Sequence, residues 1–281
     1  MLNAEIAAEL DEMQPMGLQM LESVALLNRT DTKYLLDENE AAMILRSCAP
    51  HFRVLELEGR RGSFYSTQYF DTPALAMYLD HHNGVRDRYK VRLRSYRDSG
   101  GAWLVIKRKT NLERTVKRRL PLSEIDPALG EDAVGYFTGE EAHFIRECTP
   151  YDPLNLHPFV NNEFTRITLA SIDANRPERI TIDVGLHLRW RNDTLRLPGL
   201  VVAEVKRPRA GGASIFVQAA HAQRIEPTPF SKYCIAIAML APNVRRNLFK
   251  ETLRKVVRLL SNYDTSIHAP LAPEEAMELA R

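Results

Sequence analysis

Charged residues alternate with aliphatic ones along six or so short runs of this chain, and that pattern narrows the folds open to it more than any single motif. In 89–96, Lys90, Arg92 and Arg94 occupy every second position, with Val91 and Leu93 between them. Side chains of a strand point alternately to its two faces, so the three cations share one face and the aliphatics the other. Arg29, Asp31 and Lys33 repeat the device in 28–36, and Lys107 and Lys109 follow Trp103-Leu104-Val105-Ile106. Glu113, Thr115, Lys117 and Arg119 alternate next; Arg179, Thr181 and Asp183 interleave with Ile180, Ile182 and Val184; Glu204 and Lys206 flank Val205. One charged strand face is an ordinary solvated side. A set of them, mostly cationic with a few carboxylates, implies a closed surface around a shared polar interior. Cations that hold phosphate oxygens and carboxylates that hold a metal would account for the mixture.

Net charge does not choose the partner, because 38 basic residues nearly cancel 36 acidic ones. The segregation says more: 86–119 is strongly basic and 131–147 acidic. Such a basic segment suits nucleic acid, membrane phosphates or a small polyanion. Interleaved aromatics are sparse, which disfavours nucleic acid. There is no Gly-rich Walker-type loop, which excludes nucleotide binding by that route. Cys48, Cys148 and Cys234 are far apart and lack metal-ligand spacing, so they read as reduced thiols of a cytoplasmic protein. No apolar run approaches a membrane span, and the acidic N-terminus is unlike a signal peptide.

Along the chain, 3–27 reads as a leading helix with a break near Pro15 and Gly17. The first strand, 28–36, precedes a helix capped by Asp37, with Glu40 placed for a capping box. Strands follow at 63–70, 89–96 and 102–109, the last two joined by the Asp98-Ser99-Gly100-Gly101 hairpin loop. The segment 111–121 comes next, and 122–148 reads as a helix interrupted at Pro127 and Gly130. Strands 159–171 and 179–190 form another hairpin, 200–206 is the last clear strand, and a Gly211-Gly212 loop leads to a helix around 214–223. The segments 231–240 and 243–260 read as helical, with a loosely attached tail beyond Ser261. About eight hairpin-linked strands predict an α+β fold: a closed antiparallel eight-stranded barrel with helices packed outside. Closure would remove the exposed edges of such strands. The expected parts are an N-terminal helical segment (1–27), the barrel (28–241) and a C-terminal helix and tail (242–281).

Several of these residues also form an ordered set. Arg29-x-Asp31-x-Lys33-Tyr34, Tyr69-Phe70-Asp71-Thr72 and Lys90-x-Arg92-x-Arg94-x-Tyr96 come first. Lys107-Arg108-Lys109, Arg166, Glu204-x-Lys206 and Phe230-Ser231-Lys232-Tyr233 continue it. In that order they resemble the vacuolar transporter chaperone (VTC) domain, a branch of the triphosphate tunnel metalloenzymes. The resemblance implies an eight-stranded barrel with a charged bore. It also implies a phosphoryl-transfer activity like that of the polyphosphate polymerases, which use ATP and a divalent metal such as manganese. The chain departs from the pattern at Arg29 and Asp31, where the superfamily has two glutamates, at Val105, where a carboxylate is frequent, and at Pro229, where a lysine is expected. A triphosphatase and a non-catalytic polyphosphate-binding module therefore remain as alternatives. The expected ligands are triphosphate, polyphosphate or ATP, and any membrane role would need a membrane-protein partner.

The chemistry assigns roles to particular residues. Arg92, Arg94 and Arg166 can grip phosphate oxygens with two N–H groups each. Lys33, Lys90, Lys107, Lys109 and Lys206 supply compact charges along a phosphate chain. Lys232 suits the terminal phosphate, with Ser231 donating a hydrogen bond; with Lys33, Arg92 and Arg94 it makes up the expected catalytic set. Glu204 is the leading ligand for Mg²⁺ or Mn²⁺, followed by Asp183 and Asp31, because hard cations choose carboxylate oxygen. Tyr69, Tyr89 and Trp103 read as wall-packing aromatics, and Asp80-His81-His82 as an ordinary loop rather than a metal cluster.

Overall fold

The computed structural model describes residues 2–23, 29–96, 100–112, 114–122, 136–209 and 213–261. The expectations for 24–28, Asp98-Ser99, Glu113, the 123–135 part of the interrupted helix, Gly211-Gly212 and the tail fall outside them. The N-terminal half runs α1 (Ala4–Asp11), β1 (Gln14–Met16), α2 (Leu18–Ser23), β2 (Arg29–Leu36), α3 (Glu38–Cys48), β3 (Phe52–Leu55), β4 (Ser63–Asp71), α4 (Ala76–His82), β5 (Arg88–Tyr96), β6 (Ala102–Lys109) and β7 (Thr115–Leu122). The second half runs α5 (Gly139–Cys148), β8 (His157–Ser171), β9 (Arg179–Trp190), β10 (Asp193–Leu197), β11 (Val201–Pro208), α6 (Ile215–Ala222), α7 (Lys232–Leu240) and α8 (Lys250–Leu260). Eight strands form one curled antiparallel sheet in the order β2-β11-β9-β8-β4-β5-β6-β7.

The expected closed barrel is corrected to an open half-barrel. Among the described residues, β2 pairs with β11 and β7 with β6, and β2 and β7 do not pair with each other. Two features of the rims resist closure. Pro121 in β7 lacks the N–H that a central strand donates, which suits an edge. Like charges also crowd the β7 rim. Lys117 reaches solvent, yet partial desolvation and then Arg92, Arg94, Arg119 and Arg179 lower its pKa to about 8.

The alternation places the aliphatic residues as expected, on the convex face. Tyr34, Leu36, Ile180, Ile182 and Val205 pack with α1, α3 and α6, and Val91, Leu93, Leu104 and Ile106 pack with α4 and α5. The capping box of α3 is present: Glu40 N donates to Asp37 Oδ1 at 2.7 Å, and Asp37 N donates to Glu40 Oε2 at 2.9 Å. Asp37→Ala is expected to cost about 1 kcal/mol of stability, measurable by urea unfolding.

One helix departs from the outside arrangement. Every residue of α7 from Tyr233 to Leu240 is buried, so it has no face for solvent. It packs with Leu35, Phe164, Leu188 and Val202. Leu35 lies on the same side of β2 as Lys33, and Val202 on the same side of β11 as Glu204, so α7 sits on the concave face. The leading helix is also two short helices, because Gln14–Met16 pairs in parallel with Arg53–Leu55 where Pro15 and Gly17 break the periodicity.

Candidate functional site

Strand register brings the charges of the concave face together. Lys90 pairs with Lys107, and Arg92 and Arg94 face Val105 and Trp103 on β6. Arg166 on β8 pairs with Asp183 on β9, while Glu204 on β11 pairs with Lys33 on β2 and with Thr181 on β9. Within each strand these residues are two apart, so they point the same way. Lys109 continues the row, and Asp31 lies at the exposed rim, where Arg29 Nε donates to it at 2.9 Å.

Carboxylates divide the cations into two environments. Arg166 donates to Asp183 with Nε at 2.6 Å and Nη2 at 2.8 Å, and Lys232 bonds the same carboxylate. Burial alone would raise the Asp183 pKa, but Arg166 and Lys232 bring it down to about 2. The Arg166 guanidinium also lies 5.0 Å from the Tyr65 ring and 5.2 Å from that of Phe164, so its orientation is fixed. Glu204 bonds Lys33 at 2.8 Å through one oxygen and Lys206 through the other. Burial again opposes ionisation, yet Lys206 and Lys33 hold Glu204 well below the usual carboxylate range.

Arg92, Arg94 and Lys107 have no such counter-ion among the described residues. Arg92 and Arg94 are 7% and 8% exposed. Their hydrogen bonds go to neutral oxygens: Arg92 to Tyr69 Oη at 3.3 Å and Arg94 to Thr67 Oγ1 at 3.4 Å. Arg92 Nε has no hydrogen-bond partner among the described residues. The proximity of Arg92, and then burial, hold the Lys107 pKa well below that of an ordinary lysine. Burial also lowers that of Lys90, whose ammonium donates to Ser231 Oγ at 2.8 Å. Two buried guanidiniums and two half-buried ammoniums are thus held without a carboxylate bonded to them among the described residues, an arrangement that an incoming polyanion relieves.

The base of α7 is set by the two sequence motifs that contain no cation of the sheet. Ser231 caps the helix, its hydroxyl accepting from Cys234 N. Asp71 is fully buried and accepts from Thr72 N, Met77 N and Tyr78 N, and from the Tyr233 hydroxyl at 2.5 Å. One carboxylate thus caps α4 and ties it to α7, beside Lys232. Asp71→Ala leaves several buried donors unmet and is expected to cost on the order of 3 kcal/mol in denaturant unfolding. A loss under about 1 kcal/mol would contradict this anchoring role.

Asp80, His81 and His82 form the last turn of α4 rather than a loop. His81 Nδ1 lies 3.0 Å from Cys234 Sγ, and burial with nearby Lys90 and Arg88 lowers its pKa to about 2, so the ring is neutral. Among the described residues, no three His, Cys, Asp or Glu side chains gather as a metal cage. The sequence places Arg179 on this face through the Arg179-x-Thr181-x-Asp183 alternation, but gives it no role in the expected site. Sequence reasoning left out Tyr65 and Phe164, whose stacking on Arg166 has no signature in one strand alone.

Fold and site together define a curled antiparallel sheet with a cation-rich concave face and a buried helix seated on it. The sequence profile of the VTC domain matches residues 28–241, and the chain belongs to that family. No curated protein matches it. Solved structures similar to it include a proposed adenylate cyclase of Vibrio parahaemolyticus (12% identity, 74% of this chain and 98% of that one, TM-score 0.43). Another is HpAC1 from Hippeastrum, described as having a dominant triphosphatase activity (11%, 73% and 93%, TM-score 0.39). The PH1819 protein of Pyrococcus horikoshii is similar at 10% identity, covering 74% and 98%, with a TM-score of 0.39. At those scores the likeness is loose, and membership rests on the sequence match.

Proposed function

We propose that the protein is a metal-dependent phosphoryl-transfer enzyme that holds a triphosphate, polyphosphate or ATP on its concave face. The observation that supports this most is the pair of buried guanidiniums, Arg92 and Arg94, with half-buried Lys107 beside them and, among the described residues, no carboxylate hydrogen-bonded to any of the three. In this reading the chain of phosphates lies along β5 and β6, gripped by Arg92 and Arg94 and followed by Lys90, Lys107 and Lys109. Arg166 and Lys232, pre-oriented by Asp183, meet the terminal phosphate; Lys33 and Lys206 flank Glu204 beside it. Such fixed charges stabilise the transferring phosphoryl group largely by position.

The donor set suits a hard cation that arrives with its phosphates more than a resident ion. Glu204, with Asp31 near the rim, would hold Mg²⁺ or Mn²⁺ together with water and phosphate oxygens. That ion would neutralise charge and align the reacting group. Glu204 is also bonded through both oxygens, but to two lysines that a phosphate chain would draw off it. Asp183 instead holds the two-point guanidinium of Arg166 as well as Lys232, so its role here is to position them.

One observation favours the binding-module alternative. Val105, 2% exposed, lies on the concave face directly between Arg92 and Arg119, where a carboxylate would complete an acidic set. Incubation of the pure protein with ATP and Mn²⁺, followed by separation of polyphosphate, ADP and free phosphate, decides among the readings. Polymer and ADP support the polymerase, free phosphate without polymer supports the hydrolase, and tight binding without turnover supports the module.

A further inference from the structure

Tyr69 occupies a position that wall packing alone does not explain. It stands on β4 opposite Arg92 of β5, and its hydroxyl oxygen accepts from Arg92 Nη1 at 3.3 Å. Its ring stacks on Tyr233 of α7, with centroids 5.3 Å apart and planes 27° apart. Tyr233 is in turn tied to Asp71. A ring clamped in this way keeps its oxygen in one place among the cations. The groups facing it are Lys90, Arg92 and Arg94 from β5 and Lys232 and Tyr233 from α7. Its neighbour on β8 is the apolar Val160. Asp71 and Asp183 stand behind Tyr233 and Lys232, each already engaged.

We propose that Tyr69 is a phosphate-contacting residue: Arg92 anchors its oxygen, and its hydroxyl donates its proton to an oxygen of the bound phosphate chain. The proposal deepens the triphosphate reading and rests on it. Its second consequence concerns protons. Burial raises the pKa of this phenol, but Arg92, Arg94 and Lys90 outweigh burial and bring it to about 8. In the ligand-free protein the phenol therefore ionises under mildly alkaline conditions and partly offsets the arginines. A phosphate chain replaces that charge and repels a phenolate, which shifts the phenol's pKa upward. Binding above about pH 8 then moves one proton from the buffer onto Tyr69.

The test titrates tripolyphosphate into wild type and Tyr69→Phe at neutral and at mildly alkaline pH. Buffers of different ionisation enthalpy report proton uptake, and near-ultraviolet absorbance reports phenolate. The substitution keeps the ring that stacks on Tyr233, and thermal unfolding checks that the fold is retained. The expected results are affinity roughly threefold to tenfold weaker in Tyr69→Phe at neutral pH, and an extra proton taken up by wild type at alkaline pH. A phenolate band should also fall on binding in wild type and be missing from the variant. Equal affinity and equal proton uptake in the two proteins would overturn this contact while leaving the triphosphate reading standing. A wild type that binds no tripolyphosphate, with its phenolate still titrating near pH 8, would overturn both.

Discussion

Replacing Arg92 or Arg94 with alanine is expected to weaken tripolyphosphate binding by roughly one to two decades each. A hydrogen bond to a charged partner contributes about 1.5–3 kcal/mol. Both guanidiniums meet neutral oxygens at 3.3 and 3.4 Å, so nothing stronger competes with phosphate for them. The ligand-free fold should not suffer in proportion. Arg92 and then burial lower the Lys107 pKa, so carrying its charge in the folded protein costs stability. For a base whose folded pKa lies below its unfolded value, that cost is complete below the folded pKa and disappears as pH rises past the unfolded one. Arg92→Ala relieves part of it at neutral pH, so the empty variant should melt no earlier than wild type while binding far less. Calorimetric titration beside thermal unfolding measures both quantities. Unchanged affinity in both variants would refute the binding role of this strand.

Glu204→Gln should separate turnover from binding. The substitution keeps the shape but removes the charge that holds Lys33 and Lys206 and that would hold a divalent cation. Metal-dependent turnover should fall at least about a hundredfold, because loss of metal-assisted positioning acts on the transition state. Metal-free tripolyphosphate should bind as well as before or more tightly, since two lysines are released to meet phosphate and one like charge is gone. Turnover at the wild-type rate under limiting Mn²⁺ would remove Glu204 from the metal role.

Much of this arrangement is legible in the sequence because a period of two decides which way a strand side chain points. Lys90, Arg92 and Arg94 were bound to share a face once 89–96 was extended, and the Asp37–Glu40 cap follows from local spacing alone. Closure is a different kind of property. It depends on where β2 and β7 end up after eight strands of accumulated twist, and no single strand encodes that sum. Helix α7 could have been placed, since Lys-Tyr-Cys-Ile-Ala-Ile-Ala-Met-Leu offers no polar stripe beyond its first turn. Its apolar surround says that it is buried, and does not say on which side of the sheet. Ion pairing was the least legible part. Alternation brings Asp183 and Arg166 to one face, but their direct opposition comes from the β8–β9 register, which a bulge shifts between Glu163 and Thr165.

The seam that is unpaired among the described residues has a consequence for how the molecule behaves among its own copies. An open sheet edge offers free backbone groups to any passing strand, and proteins that keep such edges usually guard them with charge or proline. Here the guards are Lys117, Arg119 and Pro121 on one side and Arg29 and Asp31 on the other. Residues that shape the mouth of the groove are therefore also what keeps molecules apart. Their repulsion reaches only about a Debye length, which shrinks to about 3 Å at molar ionic strength. Concentrated salt should thus promote self-association along the seam, and solubility becomes a property governed by the same charges that surround the groove.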